Sequence, residues 1–228
     1  IELSVNVSDA KLMMINVARI ATLQIGSEQQ MVVTGDFADE AGVVLSADYL
    51  TFVSSRTDLL AVDARGVVRA LGEGAADVRV SARGIEGVNA FTVGIDPYSP
   101  LLNEQGFELD VYPGAITLAA LDVRQLKVIG ENRENFNATS TGTRYYVGDS
   151  TVAYITDDGV IHTLAPGVTR ISVVRDGYQR DILLQVMAPV VGEATVTDQR
   201  GALVQDTNGN MLMVPPGVLE AGTQVSIQ

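Results

Sequence analysis

Residues 52–84 read FVSSRTDLLAVDARGVVRALGEGAADVRVSARG, and residues 146–177 read YVGDSTVAYITDDGVIHTLAPGVTRISVVRDG. Shifted by 93 residues, the first stretch falls on the second with its glycines in register. Gly66 lands on Gly159, Gly74 on Gly167 and Gly84 on Gly177, while Val68 meets Ile161, Leu71 meets Leu164, Val78 meets Ile171 and Val80 meets Val173. Upstream, TLQIGSEQQMVVTG (22–35) matches TLAALDVRQLKVIG (117–130) at an offset of 95, and a two-residue length difference between 36 and 51 accounts for the change. The chain therefore carries two copies of one unit.

The unit is built of strands. Gly66 and Gly159 follow DAR and TDD, where a short turn needs a positive φ that is cheap for glycine. After Gly74 and Gly167, which read as a strand end followed by a second turn, the runs AADVRVSA and VTRISVV alternate apolar with polar residues. Alternation of that kind suits a sheet with one face on a core. Strands and turns recurring every eight to twelve or so residues are the pattern of a β-sandwich. The expected first core is Phe52, Leu60, Val62, Val68, Ala70, Val78 and Val80. The second is Tyr145, Ala153, Ile155, Ile161, Thr163, Ile171 and Val173.

The same register bears on His162, the one histidine in the chain. It aligns with Arg69, and alternation in GVVRAL and GVIHTL sends Arg69 and His162 to the solvent side while Val68, Ala70, Ile161 and Thr163 face inward. An arginine and a histidine at matching places read as an exposed strand site rather than a catalytic centre.

Composition narrows the function. Hydrophobic residues make up 46% of 228, enough for packed cores, and 22 glycines with only 5% aromatics fit short strands and tight turns. Net charge is −13, from 15 basic and 28 acidic residues spread along the chain. No basic run is available for phosphate backbones, so nucleic acid is an unfavoured partner, and an anionic membrane surface would repel the chain. The longest apolar stretch, KLMMINVARIATLQI, is interrupted by Lys11, Asn16 and Arg19 and reads as no membrane span. With no cysteine there is no disulfide, thiolate metal site or cysteine nucleophile.

Phe52, Ser54 and Ser55, the strand-turn-strand LLAVDARGVVRALGEG and the strand ADVRVSA together resemble the group 2 bacterial immunoglobulin-like domains, found in tandem in invasin- and intimin-type surface proteins. The second copy keeps Tyr145, VAYITDDGVIHTLAPG and RISVV, with Val147 and Gly148 in place of the serines, and Phe52 and Tyr145 stand where the family usually has tryptophan. The resemblance implies an all-β chain of two tandem immunoglobulin-like β-sandwiches, at 10–95 and 106–188. Residues 1–9 would end a preceding domain, and DPYSPLLNEQ would form a stiff linker over 96–105. Residues 189–228 contain Asn208-Gly209 between alternating runs, read as a two-residue hairpin. Their VPPGVLEAGTQVSI resembles the opening of ZU5-like β-domains, so they would form a partial β-segment, and the chain reads as an excerpt of something longer.

Candidate chemistry is sparse. DTNGN (206–210) alternates oxygen ligands as a calcium loop does, but an EF-hand needs glycine and a bidentate glutamate where Met211 and Gly217 stand. Calcium remains an alternative through Asp157 and Asp158, with Asp96 and Glu104 at the linker. No serine sits in a nucleophile elbow, and no glycine-rich stretch has the lysine of a phosphate loop. Asn6 and Asn137 begin glycosylation sequons. The expectation is a non-enzymatic spacer or adhesion module of a large exported or cell-surface protein, bacterial and extracellular, with no catalytic residue and no cofactor. Its partners would be neighbouring immunoglobulin-like domains and a host or cell-surface protein or glycan. The alternatives are an accessory carbohydrate-binding or scaffold region of a secreted polysaccharide-degrading enzyme, or an immunoglobulin-like segment of a large toxin.

Overall fold

The computed structural model describes residues 9–94, 109–130, 142–197 and 201–227. The readings of 1–8, of the linker with Asp96 and Glu104, and of both sequons lie outside the described residues. The chain divides into two compact units, Ile1–Gly106 with Val174–Gln179 and Phe107–Val173 with Arg180–Gln228. Apart from a 3-10 turn at Ala47–Tyr49, the regular structure among the described residues is all β.

The first repeat contains β1 (Leu12–Val17), β2 (Thr22–Leu23), β3 (Glu28–Gln30), β4 (Val33–Phe37), β5 (Val43–Val44), β6 (Thr51–Ser54), β7 (Leu60–Val62), β8 (Val67–Ala70), β9 (Gly74–Ala82) and β10 (Ile85–Val93). They pair as β1-β4-β5, β2-β10-β9-β6 and β3-β8-β7. In the second repeat the strands are β11 (Asp110–Tyr112), β12 (Ala115–Ala119), β13 (Val123–Gln125), β14 (Lys127–Ile129), β15 (Thr143–Val147), β16 (Ala153–Ile155), β17 (Val160–Thr163), β18 (Gly167–Arg175) and β19 (Tyr178–Met187). These pair as β11-β14, β12-β19-β18-β15 and β13-β17-β16. Among the described residues the correspondence is strand for strand apart from β5. Even the one parallel pairing recurs, β2 on β10 and β12 on β19.

Alternation places the core as expected at most positions. Leu60, Val68, Ala70, Val78 and Val80 are buried in the first repeat, and Ala153, Ile161, Thr163, Ile171 and Val173 in the second. Each fully buried aliphatic side chain contributes about 1.5–3 kcal/mol relative to exposure. Phe52, Val62, Tyr145 and Ile155 are only half-buried. Thr163 is a polar member of the second core, with Thr169 and Ser172. Its Oγ1 accepts from the Asp122 N–H at 2.7 Å and donates to the Ala119 carbonyl at 2.7 Å, so the hydroxyl is satisfied.

The turn glycines explain the repeat. Gly66 donates to the Asp63 carbonyl at 3.0 Å, and Asp63 to the Val67 carbonyl at 3.1 Å; Gly159 and Thr156 repeat this at 2.8 and 3.0 Å. Each is a three-residue hairpin loop closed by a left-handed residue, with φ +78° at Gly66 and +72° at Gly159. The half-buried aromatics bear on the same glycines. A Cβ on Gly66 would lie 2.7 Å from Phe52 Cζ, and one on Gly159 would lie 2.8 Å from Tyr145 Oη. The Gln30 side-chain amide then donates to the carbonyls of Met31 and Arg65, as that of Gln125 does to Leu126 and Asp158.

Two expectations need correction. Gly74 and Gly167 do not end strands; they begin β9 and β18, where their missing Cβ admits Leu59 at 2.9 Å and Val152 at 2.7 Å. The Asn208-Gly209 turn is not a two-residue hairpin. Gly209 (φ +89°) donates to the Asp206 carbonyl at 3.2 Å and Asp206 to the Asn210 carbonyl at 3.0 Å, the same three-residue loop a third time. It joins β22 (Ala202–Gln205) to β23 (Met211–Val214); with β20 (Val190–Val191), β21 (Glu193–Thr195) and β24 (Gln224–Ser226), these form a small β-segment around Ala194, Val196, Ala202, Val204 and Val214.

The contact of ring on glycine is testable against an internal control. Gly26 also has positive φ (+85°), but a Cβ there would meet nothing within 4 Å. Gly26→Ala should therefore carry only the backbone strain, about 1–3 kcal/mol. Gly66→Ala should cost more, measured by urea unfolding, and Phe52→Leu in the same chain should recover part of the difference.

Candidate functional site

His162 sits on the outer side of β17, as alternation requires, but it is half-buried rather than exposed. The reason is a cross-strand partner that spacing alone does not disclose. Tyr154 lies directly opposite on β16, and the two rings stack with centroids 4.6 Å apart and planes 2° from parallel. On the other side His162 pairs with Val123 of β13. In the first repeat the corresponding row is Glu28, Arg69 and Ala61, with Arg69 Nε 3.6 Å from Glu28 Oε1. Tyr154 could have been found by pairing the two strands across the TDDG turn; Val123 needed the sheet order.

The calcium candidates separate. Asp157 and Asp158 are exposed at the tip of the β16–β17 hairpin, where Asp158 accepts from the Thr156 hydroxyl. Asp96 and Glu104 lie outside the described residues. Among the described residues, no three His, Cys, Asp or Glu side chains are grouped to hold a metal ion. The Asp206 carboxylate is engaged by its own loop. Oδ1 accepts from the Asn208 and Asn210 N–H groups at 2.8 Å each, and Oδ2 from the Asn210 amide at 2.7 Å. These bonds, the Asn210 side chain foremost, hold it below the usual aspartate range.

Asp63 performs the same service in the first repeat, accepting from Arg65 and Val67 N–H groups at 2.9 Å each. Its carboxyl is likewise lowered, chiefly by the Val67 N–H. In the second repeat the threonine hydroxyl of Thr156 accepts from Val160 N–H at 3.2 Å, a neutral substitute. A groove of roughly 360 Å³ opens beside β1 and β5 in the first repeat, lined by Leu12, Phe37, Val44, Leu45, Tyr49 and Arg83 among others. It could admit an apolar side chain, but it brings no acid, base and nucleophile together. Among the described residues, no helix is long and apolar enough to cross a membrane.

No family model and no curated protein matches the chain. Solved structures similar to it include the S-layer protein SbsC, at 15% identity over 93% of this chain and 33% of that one, with a TM-score of 0.33. Human protocadherin-24 EC1-2 is 10% identical over 79% of this chain and all of that one, with a TM-score of 0.26. Drosophila OTK extracellular domains 3–5 are 10% identical over 78% of this chain and 63% of that one, at 0.24. The chain thus spans about a third of the length of the S-layer protein.

Two outcomes follow from the turn and the stack. A lowered folded value means that the ionised Asp63 supports folding above the ordinary aspartate value of about 3.9, and that this support is lost as pH falls through the lower folded value. Asp63→Thr, which installs the second repeat's neutral acceptor, should shrink the drop in melting temperature of the first repeat between pH 7 and pH 3. An equal drop in both chains would remove Asp63 from acid sensitivity. His162→Ala should destabilise the second repeat by about 0.2–1 kcal/mol, the range of a cross-strand pair, as read by chemical denaturation.

Proposed function

We propose that this chain is a non-enzymatic spacer or adhesion module of a large exported or cell-surface protein, holding a distal domain away from its anchor. The observation that carries the reading is the strand-for-strand duplication, with the same ring-on-glycine turn built twice from different residues. A repeated rigid unit adds length without adding chemistry. Each bead would be about 40 Å long, given strands of up to ten residues with turns at both ends. The boundaries proposed are 10–95 and 106–188 for two domains of the group 2 bacterial immunoglobulin-like kind, 96–105 for the linker and 189–228 for the start of a ZU5-like β-domain. The net charge of −13 fits a solvated extracellular surface. The spacer is proposed to be independent of calcium.

Pulling the chain between its ends should give two separate unfolding events. Each should release about 290 Å of contour, the extended length of some 85 residues, less the folded span. A chelator should change neither the melting temperature nor the maximum dimension in small-angle scattering. A single event would end the two-bead reading, and a chelator-sensitive melting temperature would end the metal-free one.

A further inference from the structure

The duplication supplies an internal reference, because the same strand positions are occupied twice. On the outer face of the β13–β17–β16 sheet, the second repeat places Val123, His162 and Tyr154 in one row where the first has Glu28, Arg69 and Ala61. Just outside β13 and β17, Leu121 and Leu164 stand where the first repeat has Gly26 and Leu71. Four of these five places have thus changed, and every change brings in a larger apolar or aromatic side chain or removes a charge. Leu121 is 81% exposed, Val123 54% and Tyr154 45%. Folding does not account for them, since side chains so exposed add little buried area.

Leu121 carries a second, independent sign. Its φ is +66°, the left-handed conformation that Gly26 adopts at +85° in the first repeat. Glycine takes that backbone without a steric penalty; leucine does not. A strained leucine aimed into water has no stabilising role in the isolated chain. Strain of this kind collects where a surface meets a ligand, and contiguous exposed apolar side chains mark interaction sites.

The rim identifies the partner's chemistry. Asp122, between Leu121 and Val123, and Asp157 and Asp158, at the tip of the hairpin that carries Tyr154 and His162, are exposed; with Arg124 beside Val123 also exposed, these surroundings are net negative. The residues of the first repeat that match the three aspartates are Ser27, Ala64 and Arg65. We propose that this face, centred on Leu121, Val123, His162, Tyr154 and Leu164, docks a protein segment that is apolar at its centre and basic at its edge. A second copy of the chain would set these carboxylates against one another. A pyranose ring needs an open aromatic face, whereas Tyr154 and His162 turn faces toward each other. The inference goes beyond the spacer reading and does not depend on it.

The test is a titration of the 15N-labelled chain with two synthetic strand-forming peptides, one alternating leucine with lysine and one alternating leucine with glutamate. The lysine peptide should shift the amides of Leu121, Val123, Tyr154, His162 and Leu164, leave Gly26, Glu28, Ala61 and Arg69 unmoved, and bind at least tenfold tighter than its glutamate counterpart. Leu121→Gly should weaken it at least fivefold without lowering the melting temperature. Val123→Glu with Tyr154→Ala and His162→Arg, which transplants the first repeat's row, should abolish it; if that variant fails to fold, Leu121→Gly decides alone. The proposal is overturned by absence of shifts or by equal shifts in both repeats. It is also overturned by indifference to Leu121→Gly, by a preference for the glutamate peptide, by shifts at this face with a neutral oligosaccharide and not the peptide, or by dimers in sedimentation that Leu121→Gly dissolves.

Discussion

The pressure of one aromatic ring on one glycine organises each repeat. Phe52 belongs to the β2-β10-β9-β6 sheet and Gly66 to the turn of the β3-β8-β7 sheet, so their contact sets how closely the two layers approach at that end. The glycine is required twice over, by its positive φ and by the ring where a Cβ would stand. Met31 and Leu126, both buried, donate their N–H groups to the carbonyls of Gly66 and Gly159 at 2.9 Å. That bond ties β3 and β13 to the turn, and the glutamine amide beside it closes the remaining carbonyls. Once the turn is fixed, the register of the hairpin follows, and a slip of one residue would turn Leu60 and Val68 out of the core.

Around that constraint the repeats solve the same local problems with different atoms. In the first, the Ser55 hydroxyl accepts from the Asp77 N–H at 3.0 Å; in the second, Gly148 replaces the serine and the Thr169 hydroxyl accepts from Asp149 N–H at 2.7 Å. The acceptor has moved from one strand to its neighbour, while the crossing of the two stays hydrogen-bonded. The Asp63 and Thr156 pair is the same kind of exchange. Hydrogen bonding at a buried crossing has to be satisfied, but which residue satisfies it is free.

This freedom limits what could be read from residues alone. Glycine spacing and two-residue alternation located the cores at Val68, Val78, Val80, Ile161, Ile171 and Val173, because both are properties of a single strand. The outer strand β3 is EQQ with every side chain exposed, and it carries no pattern that marks it as a strand. Its place comes from pairing with β8. Gly84 and Gly177 entered only as glycines in register, yet each closes a hairpin with Arg83 or Asp176, at φ of +82° and +51°, and +83° and +48°. The Tyr154–His162 stack needed the two strands to be paired across the TDDG turn, since alternation says which way a side chain points but not what stands opposite it. Asn208-Gly209 misled for a related reason. The dipeptide marks a turn, but Asp206, by accepting from two N–H groups, lengthens the loop to three residues.

Comparison of the repeats also separates what the fold needs from what it merely permits. At Gly66 and Gly159, at Gln30 and Gln125, and at Phe52 and Tyr145, equivalent contacts recur, and each is buried or closes a turn. The fold demands these. At Gly26 and Leu121 the backbone conformation is the same and the side chain is not. The turn itself is content with glycine, so the leucine is an addition that the turn opposes. An addition of this sort persists against a cost in the isolated chain, and its compensation has to come from outside the repeat. The Glu28–Arg69 ion pair gives the complementary case: exposed and 3.6 Å long, it contributes little to stability, and its replacement by Val123 and His162 leaves the sheet pairing unchanged. Exposed rows of this sheet are therefore free to vary without unfolding it, and the row that has become apolar is the one whose chemistry the fold does not dictate.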